Sequence, residues 1–214
     1  MVLLTEDIWS FNLDAAWQEI SGQRREYALK YRTELDRRLC VRAYLLLCEG
    51  LRKGYGITSV PLFEFGKYGK PMLVGYPDIH FSISHCPEAV ICVLDDNPVG
   101  VDIELVSSFD EQVARYAMNQ EELRQIKSSS RPDVEFACLW TRKEAVLKQS
   151  GFGLSDNVKE VLTAHPLPVE TFISRNLHIV FIFPDLVLFH QFFCKVVLHT
   201  LIACRDKKQN VKSC

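Results

Sequence analysis

Val99-Gly100-Val101-Asp102-Ile103-Glu104 is the stretch from which both the fold and the chemistry of this chain can be read. Val99, Val101 and Ile103 alternate with Gly100, Asp102 and Glu104, so an extended segment here buries its aliphatics on one face and presents two carboxylates on the other. A third acid stands in Trp140-Thr141-Arg142-Lys143-Glu144-Ala145-Val146-Leu147-Lys148, where Trp140, Glu144 and Lys148 recur at helical spacing and share one face. Carboxylates in this arrangement suit magnesium, a hard cation that takes oxygen ligands and completes its shell with water and substrate phosphate. Each piece also has a duller reading. Asp102 and Glu104 alone could be the solvated face of an edge strand, and Glu144 with Lys148 the common i, i+4 surface pair, worth about 0.3–0.5 kcal/mol.

Working outward, Asn97-Pro98 turns the chain into the Asp102 strand, and 81–84 and 89–95 read as two further strands. Residues 62–65 predict another, followed by the turn Gly66-Lys67-Tyr68-Gly69-Lys70-Pro71. Upstream, 2–13 alternates loosely as a first strand. The stretch 23–53 predicts one helix with Leu35, Leu39, Ala43, Leu46 and Leu47 on a face, ending among Gly50, Gly54 and Gly56. Downstream, 110–127 is helical, with Asn119 and Glu122 at capping-box spacing for a fresh start. Ser128-Ser129-Ser130-Arg131-Pro132 reads as a loop, and Asp133 as the N-cap of a helix ending near Gly151. Apolar runs at 157–162, 177–183 and 187–204 predict a C-terminal sheet. The pattern is α+β, and its best internal boundary falls near Gly100, giving an N-terminal half 1–100 and a C-terminal half 101–214.

At 214 residues and 48% hydrophobic content the chain can bury a sizeable core, and a net charge of −2 draws it neither to nucleic acid nor to an anionic membrane. The charge is uneven, however: 24–53 holds nine basic residues against four acidic ones, a local positive surface suited to a phosphate or an acidic protein. Eight cysteines form no C-x-x-C pair of zinc-ligand spacing, and scattered thiols suit a reducing cytoplasm. The first residues lack a basic segment leading into an apolar one, so they do not read as a secretory signal. Residues 177–203 are interrupted by Pro184-Asp185, His190-Gln191 and Lys195, which reads as core strands and not a membrane span.

Other chemistries find less support. Ser82, Ser84 and His85 could tie a strand end together or donate to a phosphate, but no acid stands in triad relation to them and no G-x-S-x-G elbow occurs. The glycines around Lys67 and Lys70 form neither a P-loop nor a dinucleotide fingerprint.

Taken in order, Gly69-Lys70-Pro71, Phe81-Ser82-Ile83-Ser84-His85, Val99-Gly100-Val101-Asp102-Ile103-Glu104 and Trp140-Thr141-Arg142-Lys143-Glu144-Ala145 with Lys148 resemble the motifs of the 4'-phosphopantetheinyl transferase superfamily. The likeness is to its longer, surfactin-type branch. It implies two similar α/β-sandwich-like halves related by a pseudo-twofold axis, with coenzyme A bound between them, and a monomer. Carried over by position, Asp102, Glu104 and Glu144 are the expected ligands of magnesium, with manganese as the other candidate. Lys148 is expected at the diphosphate, Lys70 and Pro71 at the nucleotide end, and Ser84 and His85 on phosphate, with His85 near the 3'-phosphate. Among the N-terminal basic residues Arg24, Arg25, Lys30 and Arg38 are candidates for phosphate contact, and Arg38 is the one placed with the donor.

The implied reaction is that of a holo-[acyl-carrier-protein] synthase type transferase: the 4'-phosphopantetheine arm of coenzyme A passes to a serine of an apo acyl or peptidyl carrier protein, releasing adenosine 3',5'-bisphosphate. Glu144 is the expected base, acting directly or through water, and the basic surface is expected to meet an acidic carrier. Two other readings share the same residues: a magnesium-dependent hydrolase of the coenzyme A or nucleotide diphosphate, and a non-catalytic module that binds coenzyme A or a carrier.

Overall fold

The computed structural model describes residues 1–153, 158–164, 169–174 and 177–182, the last two segments as backbone. Strand β1 (Val2–Thr5) leads to the short helices α1 (Leu13–Glu19) and α2 (Gly22–Leu29) and then to the long α3 (Glu34–Tyr55). Each helix starts where a polar side chain takes up an orphan backbone N–H: Asn12 accepts from Ala15, Ser21 from Arg24, and Thr33 from Asp36. The strand expected over 2–13 is therefore short, and the helix expected over 23–53 is two helices. Gly56 closes α3 in the left-handed conformation at φ 68°, while Gly50 and Gly54 lie inside it.

A hairpin of β2 (Phe63–Phe65) and β3 (Pro71–Leu73) follows, then β4 (His80–Cys86), β5 (Ala89–Asp95) and β6 (Gly100–Leu105). The second part continues with α4 (Glu111–Ala117), α5 (Gln120–Ser128) and α6 (Pro132–Ser150). Asn119 and Glu122 form the reciprocal capping box their spacing predicts. Asp133 lies in the first turn of α6 and is not its cap; Pro132 opens that helix, where a missing N–H costs nothing. A 3-10 turn (Val158–Glu160) and α7 (Val161–Ala164) occupy the run expected as strand, and β7 (Val169–Ser174) and β8 (Leu177–Ile182) complete the described chain. The strand expected within 187–204 lies outside the described residues.

Beside the two-stranded β2-β3 hairpin, the described residues form two three-stranded antiparallel sheets, ordered β1-β5-β4 and β6-β8-β7. Strand β5 is apolar at almost every position because it is covered on both faces. Val90, Cys92 and Leu94 meet Leu39, Ala43, Leu46, Leu47 and Leu51 of α3, while Ala89, Ile91 and Val93 pack with Val99, Val101 and Ile103. The second cluster joins the sheets, so the aliphatic face of the Asp102 strand lies in the core of the molecule, and each large aliphatic buried there contributes about 1.5–3 kcal/mol. The opposite face of β6 receives α6. At Gly100 an added Cβ would stand 2.0 Å from the Ala145 carbonyl oxygen and 2.7 Å from the Gln149 backbone nitrogen, so only glycine lets the helix lie this close.

Candidate active site

Alternation along β6 turns Asp102 and Glu104 toward α6, and each meets a different turn of that helix. Lys148 Nζ donates to Asp102 Oδ1 at 2.6 Å, and Trp140 Nε1 donates to Glu104 Oε1 at 3.3 Å. Asp102 is 2% exposed, which removes the solvated-edge reading, and Lys148 reaches across to the strand instead of pairing along its own helix with Glu144. From the other side β4 contributes two hydroxyls. Ser84 Oγ donates to Asp102 Oδ1 at 2.8 Å while accepting from Lys148 Nζ at 2.8 Å, and Ser82 Oγ accepts from the Val101 backbone N–H at 3.1 Å. These bonds stitch β4 to β6 where no ladder joins them.

A cleft of about 290 Å³ opens beside this seam. Gly69, Lys70 and Pro71 of the hairpin turn, Ser82 of β4, and Glu144 and Lys148 of α6 all line it, so three motifs separated along the chain share one wall. Lys70 Nζ donates to the Gln149 carbonyl at 2.8 Å near the C-terminal end of α6, a place where a cation also complements the helix dipole. Tyr68 and Phe152 stand edge to face at 6.3 Å beside the mouth. His85 is exposed at the end of β4.

The electrostatics of the seam follow from confining charge. Burial first, and then the charge of Asp102, push Glu104 from the ordinary 4.5 up to about 7, against the pull of the Trp140 N–H and Lys148. Burial also raises Glu144, with Lys148 opposing and Asp102 adding. Desolvation lowers Lys70. The three carboxylates thus act on one another, although among the described residues no three acidic, histidine or cysteine groups are already closed into a metal-binding cluster. Asp102 Oδ2 is buried without a hydrogen-bond partner, the sole side-chain oxygen so placed among the described residues. An unmet carboxylate oxygen beside two carboxyls whose charge is disfavoured by burial, at the wall of a cleft, fits a divalent cation with oxygen ligands.

Arg38 lies elsewhere. Its Nε bonds Glu34 at 2.8 Å, its Nη1 reaches the carbonyls of Ile8, Trp9 and Phe11 at 3.2–3.3 Å, and its guanidinium stacks on the rings of Trp9 and Phe11. The other basic candidates are similarly engaged: Arg24 with the Cys40 carbonyl and the rings of Tyr27 and Tyr44, Arg25 over Trp17, and Lys30 over Tyr27.

Lys143 is a residue whose role the sequence does not disclose. It is wholly buried, its ammonium held by Glu122 Oε2 at 2.8 Å and by the carbonyls of Val158 and Lys159 at 2.9 Å each. Glu122 also accepts from the Asn119 backbone, so a helix cap, the 3-10 turn and α6 are braced together one residue before Glu144. The capping-box glutamate and a lysine inside an apolar helix were the available signals, but nothing in the sequence pairs them.

Comparison with known proteins gives this geometry its context. Residues 98–181 match the 4'-phosphopantetheinyl transferase superfamily. The 4'-phosphopantetheinyl transferase Sfp of Bacillus subtilis (strain 168) is 30% identical over 162 residues, 74% of this chain and 67% of that protein. The chain belongs to the 4'-phosphopantetheinyl transferase superfamily. A 4'-phosphopantetheinyl transferase of Bacillus subtilis is 28% identical over 166 residues, covering 76% of this chain and 69% of its own. The transferase gsp of Aneurinibacillus migulanus is 40% identical over 95 residues, 44% of this chain and 39% of that one. These relatives place the chain in the surfactin-type branch of the superfamily. The matched stretch holds β6 and α6 and so contains the Asp102 seam.

Proposed function

We propose that this member of the superfamily transfers the 4'-phosphopantetheine arm of coenzyme A to a serine of an apo carrier protein. The observation that carries the reading is the convergence of the G-K-P turn, the S-I-S-H strand and the W-x-x-K-E-A helix on one cleft beside the Asp102 seam. In the proposed step the serine oxygen forms a bond to the β-phosphorus of the donor. The bond from that phosphorus to the bridging oxygen breaks, and adenosine 3',5'-bisphosphate leaves with the electron pair. The serine proton goes to Glu144, which lines the cleft and whose raised pKa improves it as a base. Lys148, Lys70 and Pro71 line the cleft, and in this reading Lys148 offers its ammonium to the diphosphate, Lys70 and Pro71 serve the nucleotide end, and Ser84 and His85 of the adjoining β4 serve phosphate, His85 near the 3'-phosphate.

Asp102, Glu104 and Glu144 would hold the divalent cation, magnesium by the hardness of the donor set. When bound it would supply positive charge against the diphosphate, worth several kcal/mol. Lys148 contacts both Asp102 and Ser84, so it can balance the Asp102 charge before any donor arrives. Arg38, expected with the donor, lies outside this cleft and is assigned here to tying the 8–11 segment to α3.

The two halves 1–100 and 101–214 are part of the same reading, as is a pseudo-twofold axis between them and action as a monomer in the cytoplasm. Each half combines a three-stranded antiparallel sheet with one long helix, α3 of 22 residues and α6 of 19, which supports the pairing. Among the described residues no helix is long and apolar enough to cross a membrane.

The test is mass spectrometry of apo acyl and peptidyl carrier proteins incubated with the chain, coenzyme A and magnesium. A phosphopantetheine mass gain on the carrier serine is expected, with bisphosphate release that requires the carrier. Release without a carrier would mark a hydrolase, and binding without release a non-catalytic module. Glu144→Gln should lose transfer while keeping coenzyme A affinity within a few-fold.

A further inference from the structure

Trp140 opens the W-x-x-K-E-A stretch, yet the reaction above gives it no task. Its ring is gripped from two sides. One cluster holds Ala145, Val146, Leu147, Val158 and Val161, and another holds Ala114, Ala117, Met118, Ile126 and Leu139; Trp140 packs against both. A ring held this way has little rotational freedom, so its N–H is a donor fixed in direction. That donor is aimed at Glu104 Oε1, 3.3 Å away, across the gap between α6 and β6. Gly100 keeps the gap narrow enough for the bond, since the helix could not lie on the strand if a side chain stood there.

We propose that Trp140 is a positioning residue for the cation site: its indole N–H holds one oxygen of Glu104 in place and so presents the other to the metal. Phenylalanine would fill the same apolar clusters but could not hold the carboxylate. Ligand orientation by an outer hydrogen bond typically changes metal affinity by roughly ten- to a hundredfold when it is lost. The proposal rests on the metal reading of Asp102, Glu104 and Glu144.

Manganese binding to the full chain without donor, followed by titration calorimetry, measures it. Trp140→Phe is expected to weaken binding by about tenfold while shifting the melting temperature by only a few degrees. Magnesium should alter tryptophan emission in the wild type, and this change should vanish in Trp140→Phe although Trp9 and Trp17 remain. Glu104→Gln, which leaves the indole and its packing untouched, should abolish the same emission change. Trp140→Phe binding manganese as the wild type does would overturn the positioning role. So would a magnesium response that persists in Glu104→Gln. Asp102→Asn separates the two levels. If it abolishes manganese binding while Trp140→Phe has no effect, only the tryptophan's role falls. If it binds as the wild type does, the metal reading falls and takes this proposal with it.

Discussion

In the helical layer of α1, α2 and α3, positive charge is answered at short range. Arg24, Arg38 and Arg42 each place a nitrogen on a carbonyl or hydroxyl and lay the guanidinium against an aromatic ring. In the seam between β6 and α6, by contrast, three acids lie around the one ammonium of Lys148, which bonds Asp102 and Ser84, and Asp102 keeps its other oxygen with no partner. The first region is richer in charge along the sequence, and its buried unpaired atoms are single nitrogens, Arg24 Nε and Arg42 Nε, of guanidinium groups otherwise engaged, whereas the second is poorer in charge and leaves a carboxylate oxygen unmet. Charge that finds its partners inside the fold knits structure, whereas charge left wanting marks where a ligand can be held.

Asp102→Ala is the largest way to press on this contrast. It should lower transfer by on the order of 10³-fold or more, the equivalent of several kcal/mol in the transition state, in a mass-gain assay at saturating magnesium. A loss below tenfold would strip the seam of its special standing.

Lys143→Met comes next, because it leaves the Glu122 carboxylate buried without its cation. Denaturant unfolding should show a loss of about 3–5 kcal/mol, and Glu122→Gln in the same chain should restore a large part of it. An unchanged midpoint would mean that the brace beside Glu144 bears no weight.

Arg38→Ala tests the other side of the comparison. Removing its contacts to three backbone carbonyls and two rings should cost about 2 kcal/mol in a urea titration, with the KM for coenzyme A within twofold of wild type. A tenfold higher KM at unchanged stability would return Arg38 to the donor site.

The smallest effect is a pH slope. Glu104 is raised above its ordinary 4.5 to about 7, so the folded state prefers its protonated form. That stabilisation is complete below pH 4.5 and is lost as pH rises through about 7. The melting temperature of chelator-treated protein should therefore carry a downward contribution across this window, and Glu104→Gln should flatten it.

Much of this was legible from residues alone, and for a physical reason. Strands β4, β5 and β6 announce themselves by period two or by an unbroken apolar run, and α6 by the recurrence of Trp140, Glu144 and Lys148 on a face that does meet β6. The break between α2 and α3 was hidden because Tyr31-Arg32-Thr33 contains neither glycine nor proline, and the stop is made by a threonine cap. Residues 158–164 misled because a short apolar run fits a strand and a buried helix equally well. At the site, the acids and Lys148 stand in recognisable local patterns. The Lys143 to Glu122 pairing spans two helices, and no local pattern records it.

The contact of Lys148 with Asp102 has a bearing on how such a protein can be made. An aspartate sealed from water inside a newly closed sheet would ordinarily need a cation from outside before the strand could settle, tying assembly to the ionic surroundings. Here the counter-charge travels in the same polypeptide, on the helix that covers the strand. The chain can settle this strand before any external ion is bound.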